Sequence, residues 1–228
     1  MDLFMLPMSC SLAAHISCLE AGITPNLRRV DRATKLLEDG SAYGELTPKL
    51  TVPAVLLPDG AVLAECSAVL QYIADLAPEA ALAPPPGSRD RYYLAEWLNF
   101  VSTEVHKKLA YMVFSSTTTP EVKAWAKAQG TPMLQLLERL LGTSREFAMG
   151  DRLTVADTYL WWALFILPHG GVSLEAYPAI RAYVKRLTAR PAFAAALAIE
   201  VPMFQQESAA NAATIAAART ATASSALA

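Results

Sequence analysis

Cysteine is scarce: three residues in 228, at positions 10, 18 and 66. Spaced so widely, they do not form a disulfide framework. They do not have zinc-ligand spacing either, so no metal is expected. Charge of one sign is lacking too. Nineteen Lys and Arg face 21 Asp and Glu, a formal net charge of −2 at pH 7. Such a balance gives no field that would draw nucleic acid or an anionic membrane. The longest apolar run, residues 159–167, is too short to cross a bilayer. Near the N-terminus Asp2 stands where a secretory signal needs basic residues, so no signal peptide is expected. A reducing cytoplasm is the expected location. No internal repeat is found.

What is present is apolar bulk. The chain is 54% hydrophobic, and its length suits one large domain or two small ones with an ample core. Its first segment, Met1-Asp2-Leu3-Phe4-Met5, suits a short buried strand. After Leu6-Pro7-Met8-Ser9, Leu12, Ile16 and Leu19 make one helical stripe, and Gly22 stops the helix. Cys10 therefore stands where a strand hands over to a helix. Free N–H groups and the positive dipole end favour an anion there, and a thiolate is one. Lowering a thiol pKa from about 8.5 to about 6.5 raises its ionised fraction at pH 7 from roughly 3% to roughly 75%. A buried inert thiol is the alternative. Ser11 could donate to a bound thiolate or simply cap the helix.

Further on, residues 27–30 read as a second strand, with one short helix around Tyr43. Residues 52–57 read as a strand opened by Pro53. Asp59-Gly60 predicts a two-residue hairpin turn, and Ala61-Val62-Leu63 the returning strand. Glu65-Cys66-Ser67 leads into a helix with Val69, Leu70, Ile73 and Leu76 at helical spacing. Pro84-Pro85-Pro86-Gly87 breaks the chain, and beyond it strand signals vanish. Helices are expected over 89–115, 121–141, 154–167 and 178–198, the last broken at Pro191. The division is thus 1–77 for an α/β domain, 78–88 for a linker and 89–206 for an all-α domain. Residues 207–228, rich in Ala, Ser and Thr, read as a frayed or weakly helical tail.

A strand, Cys and helix, then a Pro-opened strand and a hairpin, is the pattern of a thioredoxin-like fold. The whole chain resembles the cytosolic glutathione transferases, most closely their bacterial beta class. The residues that carry this are Cys10-Ser11-Leu12, Thr47-Pro48-Lys49, Thr51-Val52-Pro53-Ala54 and Glu65. Also matching are Glu96-Trp97-Leu98-Asn99-Phe100, Glu104-Val105-His106-Lys107 and the run from Gly150 to Asp157. The resemblance implies an N-terminal thioredoxin-like domain followed by a helical bundle domain, glutathione as co-substrate, and a homodimer.

It also implies a site. Glutathione carries two carboxylates, one ammonium and a thiol. Val52 offers a backbone edge, with Pro53 cis in the family, although a trans proline opening a strand is the plain reading of the residues. Glu65, Cys66 and Ser67, at a helix N-terminus, can hold the γ-glutamyl carboxylate through their N–H groups. Glu65 can meet the ammonium or simply face the helix dipole. Many relatives have Ser or Gly where this chain has Cys66, so a hydroxyl contact would fall to Ser67. Cys66 could be an accidental second thiol near the site. Asn99, Thr103, His106 and Lys107 share one helical face, either a solvated face or, as in the beta class, the wall of the active-site cleft. There His106 would bond a thiolate or move a proton near neutral pH, and Lys107 would supply positive potential. Lys35 is assigned to the glycyl carboxylate, with free solvation as the alternative.

His15 reads as packed within its helix, and His169 as a loop residue that could border a second pocket. Trp161, Trp162 and Phe165 read as core, and Thr154 to Asp157 as a capping-box-like start. The implied reaction is attack of the glutathione thiolate on an apolar electrophile. A monothiol disulfide reductase working through a Cys10 mixed disulfide is the second reading, because Ala13 replaces the resolving Cys of a C-x-x-C motif. A non-enzymatic ligand-binding protein on the same fold is the third.

Overall fold

The computed structural model describes residues 1–225, with side chains described as far as residue 210. β1 (Asp2–Met5) lies inside a four-stranded mixed sheet of order β2-β1-β3-β4. β2 (Asn26–Arg29) pairs with it in parallel; β3 (Ala54–Leu56) and β4 (Val62–Ala64) complete the sheet antiparallel. Leu3, Phe4 and Met5 are all buried, as an unbroken apolar run in a covered sheet should be. The expected hairpin forms with three turn residues, not two. Leu57 pairs with Ala61 around Pro58, Asp59 and Gly60. Gly60 takes φ +85°, and the Asp59 carboxylate accepts the Ala61 N–H.

α1 (Ser11–Glu20) follows the strand, and Gly22 ends it at φ +71°. A single apolar stripe does not describe this helix: everything from Ser11 through Cys18 is buried. It is sandwiched between α3 (Cys66–Leu76) and two helices of the second domain, α7 (Val155–Ile166) and α9 (Pro191–Ser225). Such a helix must satisfy its polar groups internally. Ser17 does so, donating to Ala13 O at 2.8 Å and pairing with Thr158 Oγ1 at 2.8 Å. α2 (Tyr43–Leu46) is the short helix expected around Tyr43.

The linker makes one 3-10 turn, Pro78–Ala80, and its Leu82 carbonyl accepts the Val155 N–H. Ser88 then caps α4 (Arg89–Phe100), accepting the Arg91 N–H. The helix does not stop at Phe100. It widens into a π-helical stretch, Val101–Ala110, and resumes as α5 (Tyr111–Phe114). α6 (Pro120–Leu141), α7 and α8 (Pro178–Thr188) follow, then α9. Because α9 runs to Ser225, the backbone of the expected tail is helical to that point, and residues 226–228 lie outside the described residues. Glu207 is tied to the first domain through Arg32 at 3.3 Å.

α7 is the axis of the second domain, with every residue from Val155 to Leu164 buried. Asp157 fixes its start. The carboxylate accepts from the N–H and hydroxyl of Thr154, the Ala148 N–H and the Tyr183 hydroxyl. Trp161 is core, its indole N–H reaching Val184 O and Thr188 Oγ1. One cluster of buried side chains, from Leu3 to Ala196, spans both domains.

Candidate functional site

Cys10 is the N-cap of α1, at φ −59° and ψ −15°, and is 9% exposed. Its thiol donates to Val52 O at 3.1 Å. Cys66, the first residue of α3 and 7% exposed, donates its thiol to Cys10 O at 3.7 Å. The nearby Cys66 side chain is the main reason the Cys10 thiol lies below its usual pKa. Burial opposes it, while the Lys107 charge assists. Cys66 is pushed the other way, first by burial and then by the Cys10 side chain and charge, while a bond from the Tyr159 hydroxyl draws it back. Cys18, deep in α1, is pushed up to about 12 by burial. The surroundings of Cys10, the Cys66 side chain first, thus single it out among the three thiols.

Ser11 is not available to a bound thiolate. It is fully buried, donating to Leu6 O at 3.0 Å and accepting the Leu6 N–H at 3.2 Å. Its hydroxyl closes the loop behind β1. Ser9, half-buried and 2.9 Å from Ser11 Oγ, is the neighbouring hydroxyl nearer the surface.

The loop ahead of Cys10 is also held from the second domain. Met8 adopts φ +62°, an unusual conformation for a residue with a side chain. Its N–H donates to Glu200 Oε2 at 2.8 Å, and its carbonyl accepts the Trp162 indole N–H at 3.1 Å. The other Glu200 oxygen meets His15 Nδ1 at 2.9 Å, so His15 is packed in place as its sequence position suggested. Burial raises the Glu200 carboxyl pKa against the pull of His15 and Met8. Glu200 and Trp162 were not among the expected site residues. A Glu in an Ala-rich helix, 192 positions from its partner, leaves no local sequence signal.

Glu65 precedes α3 at φ +78°, a strained conformation for a residue with a side chain. The N–H groups of Cys66 and Ser67 make no hydrogen bond among the described residues, leaving the orphan donors of a helix N-terminus. The Glu65 carboxylate is exposed, 3.9 Å from Lys49. Ser67 does not offer its hydroxyl, which donates to Leu98 O at 3.3 Å. The Val52–Pro53 bond is cis, which differs from the plain reading of the residues and agrees with the resemblance. The Val52 carbonyl takes the Cys10 thiol, while its N–H is without a partner among the described residues.

His106 departs from the shared polar face. It is buried, its Nδ1 is 2.8 Å from the Tyr159 hydroxyl, and its ring meets Trp162 edge-on at 4.7 Å. The π-helical hydrogen bonds supply the reason. The Tyr111 N–H reaches back to His106 O, five residues earlier, and the widened turn rotates His106 inward with Val101, Val105 and Leu109. Burial first, and the Lys107 charge second, push its pKa down to about 3. The imidazole is neutral at neutral pH and does not move a proton there. Lys107 and Thr103 stay exposed with Asn99. Lys107 sits over the Tyr111 ring at 5.2 Å, and Thr103 bonds back to Asn99 O.

The structure thus gathers Cys10, Val52, Pro53, Glu65, Cys66, Ser67 and Lys107. His106 joins through Tyr159, whose hydroxyl reaches Cys66. Lys35 (φ +58°), Asn99 and Thr103 make no hydrogen bond or ion pair to this group among the described residues. A cleft of about 850 Å³ between the linker and α4, lined by Pro84, Tyr93, Trp97 and Arg152, shares no residue with it. No cluster of metal ligands occurs among the described residues. The chemistry on offer is a thiol held toward its ionised form beside free backbone donors and an exposed carboxylate.

The chain matches a known family over most of its length. A family model for the Glutathione S-transferase N-terminal domain matches residues 7–76, and one for the C-terminal domain matches 103–200. Glutathione S-transferase GstA of Escherichia coli O157:H7 is 38% identical over 200 residues, 88% of this chain and 98% of that one. A sphingomonad glutathione S-transferase solved with glutathione superposes with a TM-score of 0.83 at 38% identity, over 88% of this chain and 98% of that one. The bacterial beta class glutathione S-transferase of Sphingomonas chungbukensis gives a TM-score of 0.83 at 38% identity with the same coverage.

Proposed function

The chain belongs to the glutathione S-transferase family, and from that membership we propose a mechanism centred on Cys10 and the start of α3. It is an enzyme with glutathione as co-substrate. In the proposed pose the γ-glutamyl carboxylate lies on the Cys66 and Ser67 N–H groups. The ammonium meets Glu65, displacing the weak, exposed contact of that carboxylate with Lys49. The peptide of the ligand pairs with the free Val52 N–H, and Lys35 faces the glycyl carboxylate. This brings the glutathione sulfur to Cys10, under the positive potential of Lys107, with Asn99 and Thr103 on the same wall.

The thiolate then attacks an apolar electrophile in the cleft against the helical domain. The protein's part is to keep the thiol ionised and aimed. Tyr111, exposed one turn beyond Lys107, supplies apolar surface there. Conjugation of this kind detoxifies reactive electrophiles, and three free thiols suit a reducing cytoplasm. A homodimer is part of the proposal, supported by Leu76, Tyr92 and Tyr93, large side chains exposed on α3 and α4.

The observation that carries the reading is the thiol of Cys10, held below its usual pKa beside the free N–H groups of α3. Titration with glutathione and turnover of a halodinitrobenzene with varied glutathione test it. Saturable binding with glutathione-dependent conjugation is expected. Binding without conjugation, under conditions where disulfides of glutathione are reduced, would favour the disulfide reductase reading instead.

A further inference from the structure

Cys10 has no resolving cysteine in sequence, since Ala13 occupies that place. In space it has one. Cys66 is 56 positions away, yet α1 and α3 pack together and set the two helix starts side by side. The Cys66 thiol donates to Cys10 O at 3.7 Å, which sets the two side chains next to each other, and it is the main influence on the Cys10 thiol. All three cysteines are buried in the same cluster, but Cys18 lies further along α1, away from the start of α3.

We propose that Cys66 is the resolving thiol for Cys10, so that the site runs a two-cysteine disulfide exchange on mixed disulfides of glutathione beside conjugation. This rests on the reading that places glutathione at Cys10. The Cys10 thiolate attacks the glutathione sulfur of a mixed disulfide. That S–S bond breaks, the Cys10–glutathione bond forms, and the other half leaves as a thiolate that takes a proton from water. Cys66 sulfur next attacks Cys10 sulfur. The Cys66–Cys10 bond forms, and glutathione leaves as the thiol, carrying the proton that Cys66 gave up. One glutathione then reopens the protein disulfide at Cys10, returning Cys66 as a thiol. A second glutathione removes the adduct as glutathione disulfide and restores the Cys10 thiolate. In sum, one mixed disulfide and one glutathione become one free thiol and one glutathione disulfide.

The surroundings time the second step. Burial is the first influence holding the proton on Cys66, and while Cys10 is a thiolate its side chain and its charge add to that hold. Once Cys10 is in a disulfide, both additions are gone. The Tyr159 hydroxyl and the N-terminal dipole of α3 remain, and both favour the Cys66 thiolate. Capping Cys10 thus makes Cys66 easier to ionise, although burial still opposes it.

The test uses the full chain, its Cys66→Ser variant and its Cys10→Ser variant, each treated with glutathione disulfide near neutral pH and quenched with acid. Intact mass and peptide mapping are read without reductant. The unmodified chain should lose two hydrogens and yield a Cys10–Cys66 linked peptide, with at most a transient glutathione adduct. Cys66→Ser should keep one glutathione on Cys10, and Cys10→Ser should take none. A stable adduct on the unmodified chain, a link from Cys10 to Cys18, or an adduct on Cys66 in Cys10→Ser would each overturn the proposal. Because the unmodified chain alone can refute it, poor folding of a variant does not shield it. Conjugation by the reduced chain is assayed separately, so loss of that reading is told apart from loss of this one.

Discussion

At the residue, the environment sorts three identical thiols into three chemistries. The Cys66 thiol, then Lys107, stabilise the Cys10 thiolate, so the pH midpoint for alkylating Cys10 should fall below the ordinary value of about 8.5. Removing a group that favours the anion raises the midpoint. Cys66→Ala should raise it most, Lys107→Met less, and Cys18 should stay unlabelled because its thiol is pushed up to about 12. Peptide mass spectrometry across pH reads all three, and labelling of Cys18 ahead of Cys10 would sink the assignment. Glu65 and His106 should fail differently. Glu65→Gln removes a contact made equally before and during reaction, so the KM for glutathione should rise roughly 10- to 150-fold with kcat kept. His106, with its pKa pushed down to about 3, carries no charge between pH 6 and 9. His106→Ala should therefore lower kcat by the same fraction throughout that range, through loss of support for Tyr159. A loss that recovers at high pH would mean that His106 ionises in the working enzyme. Cys10 was legible because a strand-to-helix junction is written locally. Ser11 was misplaced because which hydroxyl faces inward depends on the turn from Leu6 to Ser9, not on residue type.

At the element, two buried carboxylates hold the machinery in place. Asp157 anchors the start of α7 with four accepted hydrogen bonds inside the core. Asp157→Ala orphans those donors and should cost at least about 3 kcal/mol. The melting temperature should fall by roughly 6–12 °C, with glutathione affinity of the folded fraction retained; intact melting with lost binding would contradict this. Glu200 on α9 instead fixes Met8, two residues before Cys10. Glu200→Ala should cost about 3 kcal/mol, from two hydrogen bonds to a charged group. Unlike Asp157→Ala, it should also shift the alkylation midpoint of Cys10 in the folded protein. An unchanged midpoint would reduce Glu200 to a purely structural role. The Asp157 motif was readable as a capping box, since Thr154 lies three residues away, whereas its bonds to Ala148 and Tyr183 were not readable. Glu200 was not readable either, because its partners come from the other end of the chain. The inward turn of His106 was hidden for a different reason: the 3.6-residue period assumed for the face from Asn99 to Lys107 fails in a π-helical stretch.

At the whole molecule, the two domains share one core, with α1 of the first buried against α7 and α9 of the second. Separate unfolding would expose α1, whose residues from Ser11 to Cys18 are all buried. The domains should therefore unfold together. The four Trp, all in the helical domain, report one half by fluorescence, and alkylation of Cys18 reports the other. The two transitions should coincide in denaturant, and two separate midpoints would refute a shared core. The order of elements, the α/β then all-α division, the break at the proline-rich linker and the prominence of Cys10 follow from the residues, because periodicity, turn chemistry and helix termini act over a few positions. The pairing of Cys10 with Cys66, the burial of His106 and the hold of Glu200 on Met8 were decided only by the fold. Each joins side chains from separate elements, and the packing of α1 against α3, α7 and α9 sets their distance, their dielectric surroundings and hence their protonation.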